Sequence, residues 1–129
     1  VKKIYPLNTR YSENKNIKQK RDEKIILSAT KQYGRSVIPK MFPLTNFDEF
    51  ITQNKSAKRF ILSQNESYSR LDKFVKEANN EIILLVGPEG GFTDKEIEVA
   101  IENGYLPIYL SNRRLRTETA CISGLAKII

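Results

Sequence analysis

Residues 82–86, Ile-Ile-Leu-Leu-Val, form an unbroken apolar run that ends at Gly87-Pro88. A strand with one wet face alternates apolar and polar residues, so a run with no polar member suits a strand covered on both faces. Such strands belong to parallel sheets, whose members must be joined by crossover connections, usually helices. The neighbouring sequence has that form. Thr93-Asp-Lys-Glu96 reads as a capping box opening a helix with Ile97, Ala100 and Ile101 on its apolar face, and Gly104 stops it. Residues 106–110 return as a strand, and a final helix is expected over 117–129. Upstream, 59–62 reads as a short strand, and Leu71, Phe74, Val75 and Ala78 recur at helical spacing.

The first half gives weaker signals. VKKIYPL at 1–7 reads as a strand ending near Pro6, and 9–18 is the most loop-like stretch. Ile25, Ile26, Ala29 and Tyr33 predict a helix over about 20–33, ended by Gly34. Residues 37–42 are a second strand candidate, with Pro39 pointing to an edge or a strand start. Thr45-Asn-Phe-Asp48 loosely matches a capping box for a short helix through Phe50 and Ile51. Alternation of strand and helix throughout predicts an α/β domain with a mostly parallel sheet flanked by helices.

Composition narrows the chemistry. At 129 residues, with 40% apolar and 29% charged positions, the chain fits one globular domain. No apolar run approaches the roughly 20 residues of a membrane span, and the first ten residues hold no apolar core of a secretory signal. Absence of histidine excludes Ser-His-Asp triads, Cys-His dyads and histidine-based zinc centres, and no metal site is expected. The single cysteine, Cys121, cannot form an internal disulfide and reads as a packed helix residue. The net charge of +7 is uneven: residues 1–40 carry eleven Lys/Arg against three Asp/Glu, and the remainder is −1. A basic half suits a polyanion such as nucleic acid, although a chain rich in Lys, Asn and Ile is basic for compositional reasons as well.

Two loops carry candidate chemistry. Gly87-Pro-Glu-Gly-Gly91 follows the buried strand and precedes the capped helix, at the strand end where open α/β sheets bind ligands. Its spacing matches neither a dinucleotide fingerprint nor a Walker loop, so an ordinary strand-to-helix turn is the alternative. Leu110-Ser-Asn-Arg-Arg-Leu-Arg-Thr-Glu-Thr-Ala120 lies between the next strand and the last helix, with three arginines in four residues. Arg116 can present a cation to a ligand, or pair with its neighbours. Lying on successive strands, the two loops could line one crevice.

Leu85-Val-Gly-Pro-Glu-Gly-Gly-Phe-Thr93, then Leu110 and Leu115-Arg-Thr-Glu-Thr-Ala120, together resemble the RsmE-type small-subunit (16S) ribosomal RNA uridine-N3 methyltransferases of the SPOUT superfamily. Ile4, Pro6-Leu7, Arg21, Ala29, Gln32, Gly34-Arg35 and Pro39 extend the resemblance over nearly the whole chain. It implies an α/β knot, with a C-terminal trefoil threaded through a loop, and S-adenosylmethionine as cofactor. The implied cofactor-binding residues are Leu62, Val86, Gly87, Pro88, Glu89, Gly90, Gly91, Leu110, Ser111, Asn112, Leu115, Thr119 and Ala120. Arg116 is the implied positioning cation in catalysis. Glu118 either holds Arg116 or is a plain helix-start carboxylate. Lys2, Lys3, Lys15, Lys18, Lys20, Arg21 and Arg35 are the implied contacts to rRNA phosphates. Tyr5, Tyr11 and Tyr33 are candidates for base stacking as well as for ordinary packing.

The family also implies a homodimer in which Leu125, Ile128 and Ile129 meet a partner, and a cytoplasmic protein acting on 16S rRNA or the small ribosomal subunit. The resemblance further implies that residues 1–129 are one SPOUT methyltransferase domain, expected to start after the family's RNA-binding β-barrel and after one strand and one helix of the knot. Three departures stand out. Ser111 replaces a glycine, Arg114 replaces an aliphatic residue, and Arg10-Tyr11-Ser12 carries the family's loop arginine one residue out of register. A rival reading from another class is a non-catalytic RNA-binding or ribosome-assembly module of the same fold. A generic anion-binding α/β domain is a third.

Overall fold

A computed structural model describes residues 1–12, 19–32, 34, 37–53, 58–70, 81–111 and 115–128. The chain forms two compact units, the first comprising Val1–Asn8 and Ser12–Phe50 and the second Thr9–Tyr11 and Ile51–Ile129.

In the first unit the strand expected over 1–7 is two short strands, β1 (Lys3–Ile4) and β2 (Leu7–Asn8). The break falls at Tyr5-Pro6, where proline removes a ladder donor. β1 pairs in parallel with β3 (Lys40–Met41), and β2 pairs in parallel with β4 (Thr45–Asn46). β4 replaces the capping box expected at Thr45: its hydroxyl donates to the Pro43 carbonyl at 3.0 Å, and the short helix α2 (Phe47–Ile51) begins beyond it. Tyr5 stacks on Phe42 with ring centres 4.2 Å apart and tilts against Phe50 at 4.9 Å.

Helix α1 (Gln19–Gln32) lies where the apolar spacing puts it, but with a different face inward. Ile25 and Ala29 are exposed, and the inward stripe is Ile26, Leu27 and Thr30. A buried threonine is tolerated because its hydroxyl donates to the Ile26 carbonyl at 2.7 Å. Gly34, at φ +64°, closes the helix with its N–H on the Lys31 carbonyl.

The second unit is built on a parallel three-stranded sheet in the order β6-β5-β7, with β5 (Lys58–Ser63), β6 (Ile82–Leu85) and β7 (Leu106–Tyr109). The apolar run that suggested a strand covered on both faces is an edge of this described sheet. Of β6 only Leu85 is buried, and the central place belongs to β5, with Phe60 4% and Ile61 0% exposed. Lys58 and Arg59, both half-buried, open β5, and the Nε and Nη1 of Arg59 are covered where its guanidinium lies against Tyr105. The expected stripe of Leu71, Phe74, Val75 and Ala78 lies outside the described residues. Ser69 and Arg70 flank β7: the Ser69 carbonyl accepts from the Tyr109 N–H at 2.9 Å.

α3 (Asp94–Glu102) connects β6 to β7 across the sheet order, as a parallel pairing requires. Its capping box is complete, with Thr93 Oγ1 accepting from the Glu96 N–H at 3.0 Å and Glu96 Oε1 from the Thr93 N–H at 2.9 Å. Ala100 is its buried residue, while Ile101 stays exposed. The last helix, α4, spans Thr117–Ile128. No helix among the described residues is long and apolar enough to cross a membrane.

Gly104, at φ +86°, turns the chain from α3 into β7, and a Cβ there would fall 2.5 Å from an Arg59 guanidinium nitrogen. That guanidinium lies over the Tyr105 ring, 5.6 Å from its centre, with Nε and Nη1 buried, so moving it aside gives up this packing. Burial raises the pKa of the Tyr105 phenol, and the Arg59 charge opposes part of the rise. Gly34→Ala meets the same backbone penalty, roughly 1 kcal/mol, but enters open space. Urea denaturation should therefore show Gly104→Ala destabilised more than Gly34→Ala, by about 1 kcal/mol or more. Equal losses would mean that Arg59 yields freely.

Candidate functional site

Strand register determines where the loops emerge. Ile61 pairs with Leu85 and Pro107, and Ser63 with Tyr109, so all three strands end along one edge of the sheet. The loops beginning at Gln64, Val86 and Leu110 therefore share that edge, which is where open parallel sheets bind ligands.

Alternation along the strands sorts the side chains. Phe60, Ile108 and Leu110 form a buried cluster, against which Leu62, Ile82, Leu84, Leu115 and Ala120 pack. Leu62, Leu110, Leu115 and Ala120, drawn from β5, the end of β7 and the start of α4, are thereby brought together. Gly124 makes the approach of α4 possible, since a Cβ there would lie 2.9 Å from Leu84 Cδ2 and 3.8 Å from Leu62 Cδ1. A glycine inside a helix normally weakens it. Here it lets the helix backbone lie directly on the sheet.

The loop after β6 is tied to α4 by a polar contact. Thr117 Oγ1 donates to the Gly87 carbonyl at 3.0 Å across 30 residues of sequence, and the Arg116 carbonyl accepts the first bond of the helix from Ala120. Sequence reasoning did not single out Thr117. A threonine in the first turn of a helix already has a local use there, so its long-range bond leaves no separate signal.

The glycines of the 87–91 loop have separate tasks. Gly91, at φ +74°, closes a turn through its N–H on the Pro88 carbonyl at 2.8 Å. At Gly87 a Cβ would press on the Gly91 backbone at 3.1–3.2 Å. At Gly90 it would meet Tyr11, 3.1 Å from that residue's Cβ. The segment bearing Tyr11 is itself anchored, because the Arg10 N–H donates to Glu96 Oε2 at 3.2 Å. Arg10, Tyr11 and Glu96 were not among the cofactor-site expectations.

The remaining expected residues are placed as follows. Val86, Pro88 and Ser111 are half-buried, and Glu89, Arg116, Glu118 and Thr119 are exposed. Asn112 lies outside the described residues, as do Lys15, Lys18, Arg35, Tyr33 and Arg114. In the first unit Lys2, Lys3, Lys20 and Arg21 are exposed. Lys20, Arg21 and Lys24 line one side of an open concavity with Ile25, Ser28, Ala29 and Gln32, all from α1. This is a helix face rather than an enclosed pocket.

Arg116 is exposed just before α4, and Glu118 is exposed in its first turn. Cys121 follows Glu118 by three residues, and burial first, then the Glu118 carboxylate, raise the pKa of its thiol.

A parallel sheet with its strand-end loops gathered on one edge, and a terminal helix tied to one of them, defines an α/β protein of the kind that binds small ligands at strand ends. The chain belongs to the RNA methyltransferase domain family, whose model matches residues 1–129. Among its relatives, the ribosomal RNA small subunit methyltransferase E of Mesomycoplasma hyopneumoniae is 35% identical over 112 residues, covering 87% of this chain and 48% of the relative. A putative methyltransferase from Legionella pneumophila, solved with bound SAM, matches at a TM-score of 0.88 with 33% identity, covering 99% of this chain and 55% of the other. The ribosomal RNA small subunit methyltransferase E of Neisseria gonorrhoeae, solved bound to S-adenosyl methionine, matches at 0.86 with 30% identity, covering 98% of this chain and 53% of that one. The chain thus spans about half the length of the relatives it matches.

Two outcomes are expected. Thr117→Val should lower stability by about 1 kcal/mol in urea denaturation. No change would show the Gly87 carbonyl to be satisfied without it. Iodoacetamide labelling of Cys121 should titrate above the range of an unfolded control, because the neutral thiol is favoured in the fold. Glu118→Gln should lower the midpoint without returning it to the unfolded value, since burial remains.

Proposed function

We propose that this chain is the S-adenosylmethionine-dependent methyltransferase domain of a protein that methylates N3 of a uridine in small-subunit (16S) ribosomal RNA. The observation that carries the reading is the junction at the carboxyl edge of the sheet. There the 87–91 loop and the start of α4 are joined through Thr117 and Gly87, beside Leu62, Leu110, Leu115 and Ala120. It occurs in a family member with close structural relatives solved in complex with S-adenosylmethionine.

These residues suit the cofactor chemically. Leu62 and Leu115, half-buried and backed by the buried Leu110, offer apolar surface for a purine. Peptide groups of residues 87–91 can meet its polar edges, and Ser111 and Thr119 add hydroxyls. When bound, the cofactor supplies a methyl group on a cationic sulfur. Uracil N3–H is a weak acid, so the protein's main tasks are alignment and stabilisation of the charge left as the proton departs. Arg116, exposed before the first turn of α4, orients the uracil and stabilises negative charge on its carbonyl oxygens. This division of labour requires no histidine.

Lys2, Lys3, Lys20 and Arg21, together with Lys15, Lys18 and Arg35, contact rRNA phosphates. The Lys20, Arg21 and Lys24 row on α1, with Ser28 and Gln32 beside it, suits a sugar–phosphate backbone. Residues 1–129 act as one SPOUT domain with a C-terminal trefoil knot. α4, which carries Ile122 at 69% exposure, faces a second copy in a homodimer. With ribosomal RNA as substrate the protein acts in the cytoplasm.

The test is calorimetric titration with S-adenosylmethionine, combined with mass spectrometry of small-subunit rRNA after incubation with the purified protein. Arg116→Ala should lower methylation by about 100-fold and leave cofactor affinity and melting temperature unchanged. Unaltered turnover removes Arg116 from the site, and no cofactor binding by the folded wild type overturns the reading.

A further inference from the structure

Tyr11 is an unusual surface residue. Among the described residues, the other exposed large hydrophobic side chains are all aliphatic, and Tyr11, at 51% exposure, is the one aromatic among them. Its backbone is nevertheless fixed. Thr9 is 7% exposed, and the Arg10 N–H is held by Glu96, whose other carboxylate oxygen closes the capping box of α3. One side of the tyrosine rests on Gly90, with Cβ, Cγ and Cδ2 all 3.1–3.3 Å from where a Gly90 side chain would begin. A residue other than glycine there would push the ring away. Tyr5, by contrast, is spent on packing with Phe42 and Phe50.

An anchored ring left half open to water retains a large apolar surface and loses little conformational entropy when a partner covers it. Its position on the 87–91 loop puts that surface beside the proposed site, next to the exposed Arg10. Single-stranded RNA is read by splaying bases out and stacking them on aromatic rings, with nearby cations holding the backbone. We propose that Tyr11 is a substrate-positioning residue on which a splayed base of the RNA stacks at the rim of the 87–91 loop. The inference rests on the RNA methyltransferase reading above and names a residue that presents the substrate to it.

The experiment compares two probes of equal charge, hexauridylate and an abasic ribose–phosphate hexamer, for binding to wild type, Tyr11→Phe, Tyr11→Leu and Tyr11→Ala. Wild type and Tyr11→Phe should prefer the base-bearing probe. Tyr11→Leu, which keeps an apolar contact for Gly90 without an aromatic face, and Tyr11→Ala should narrow that preference roughly tenfold. S-adenosylmethionine affinity should stay the same in all four proteins. Equal preference in Tyr11→Leu and wild type, no preference in wild type, or a parallel fall in cofactor affinity overturns the proposal. Failure of the enzymatic reading is seen separately, as a wild type that binds no cofactor and transfers no methyl group, and the probe comparison stands apart from that result.

Discussion

The parallel ladder centred on β5 is the constraint from which the rest of the second unit follows. Because β6 and β7 run in the same direction as β5 and pair with it at Ile61, their loops have to leave from the same edge. Burial of Ile61 and Ile108, at about 1.5–3 kcal/mol each, outweighs any single polar contact nearby. The Thr117–Gly87 bond, worth about 1 kcal/mol, therefore does not hold the sheet together; it orients a loop and a helix that the core has already brought close. Gly124 completes the arrangement by removing the side chain that would keep α4 off Leu84 and Leu62.

The 87–91 loop shows how one composition can serve several physical ends. All of its glycines are open, from sequence, to the same explanation, close approach of backbone to a ligand. Gly91 is required by a positive φ, Gly87 by crowding of the loop on itself, and Gly90 by the tyrosine lying against it. Glu96 is similarly shared: one oxygen caps α3 and the other holds the Arg10 N–H, so the start of the helix also anchors a segment 86 residues earlier in the chain.

Legibility differed between the halves for a physical reason. Thr93 and Glu96, the glycine at 104 and the apolar pattern of β7 are short-range signals, and α3, β7 and α4 lie where these signals put them. In the first unit the strands are two residues long, too short for a periodicity, and Thr45 has the sequence of a cap but pairs with Leu7 of β2. α1 was found by spacing, but its inward face was misjudged, because Thr30 can satisfy its hydroxyl on its own helix and Ile25 faces water.

By itself, the sequence determined the α/β class, the two loops with their motif residues, the uneven charge and the exclusion of histidine chemistry, since each depends on residue identity or short spacing. The tertiary structure alone decided that β5 rather than the most apolar run is central, that Thr117 meets Gly87, and that Tyr11 rests on Gly90. Those facts depend on strand order, helix phase and close approach between distant segments, which no local pattern of side chains encodes.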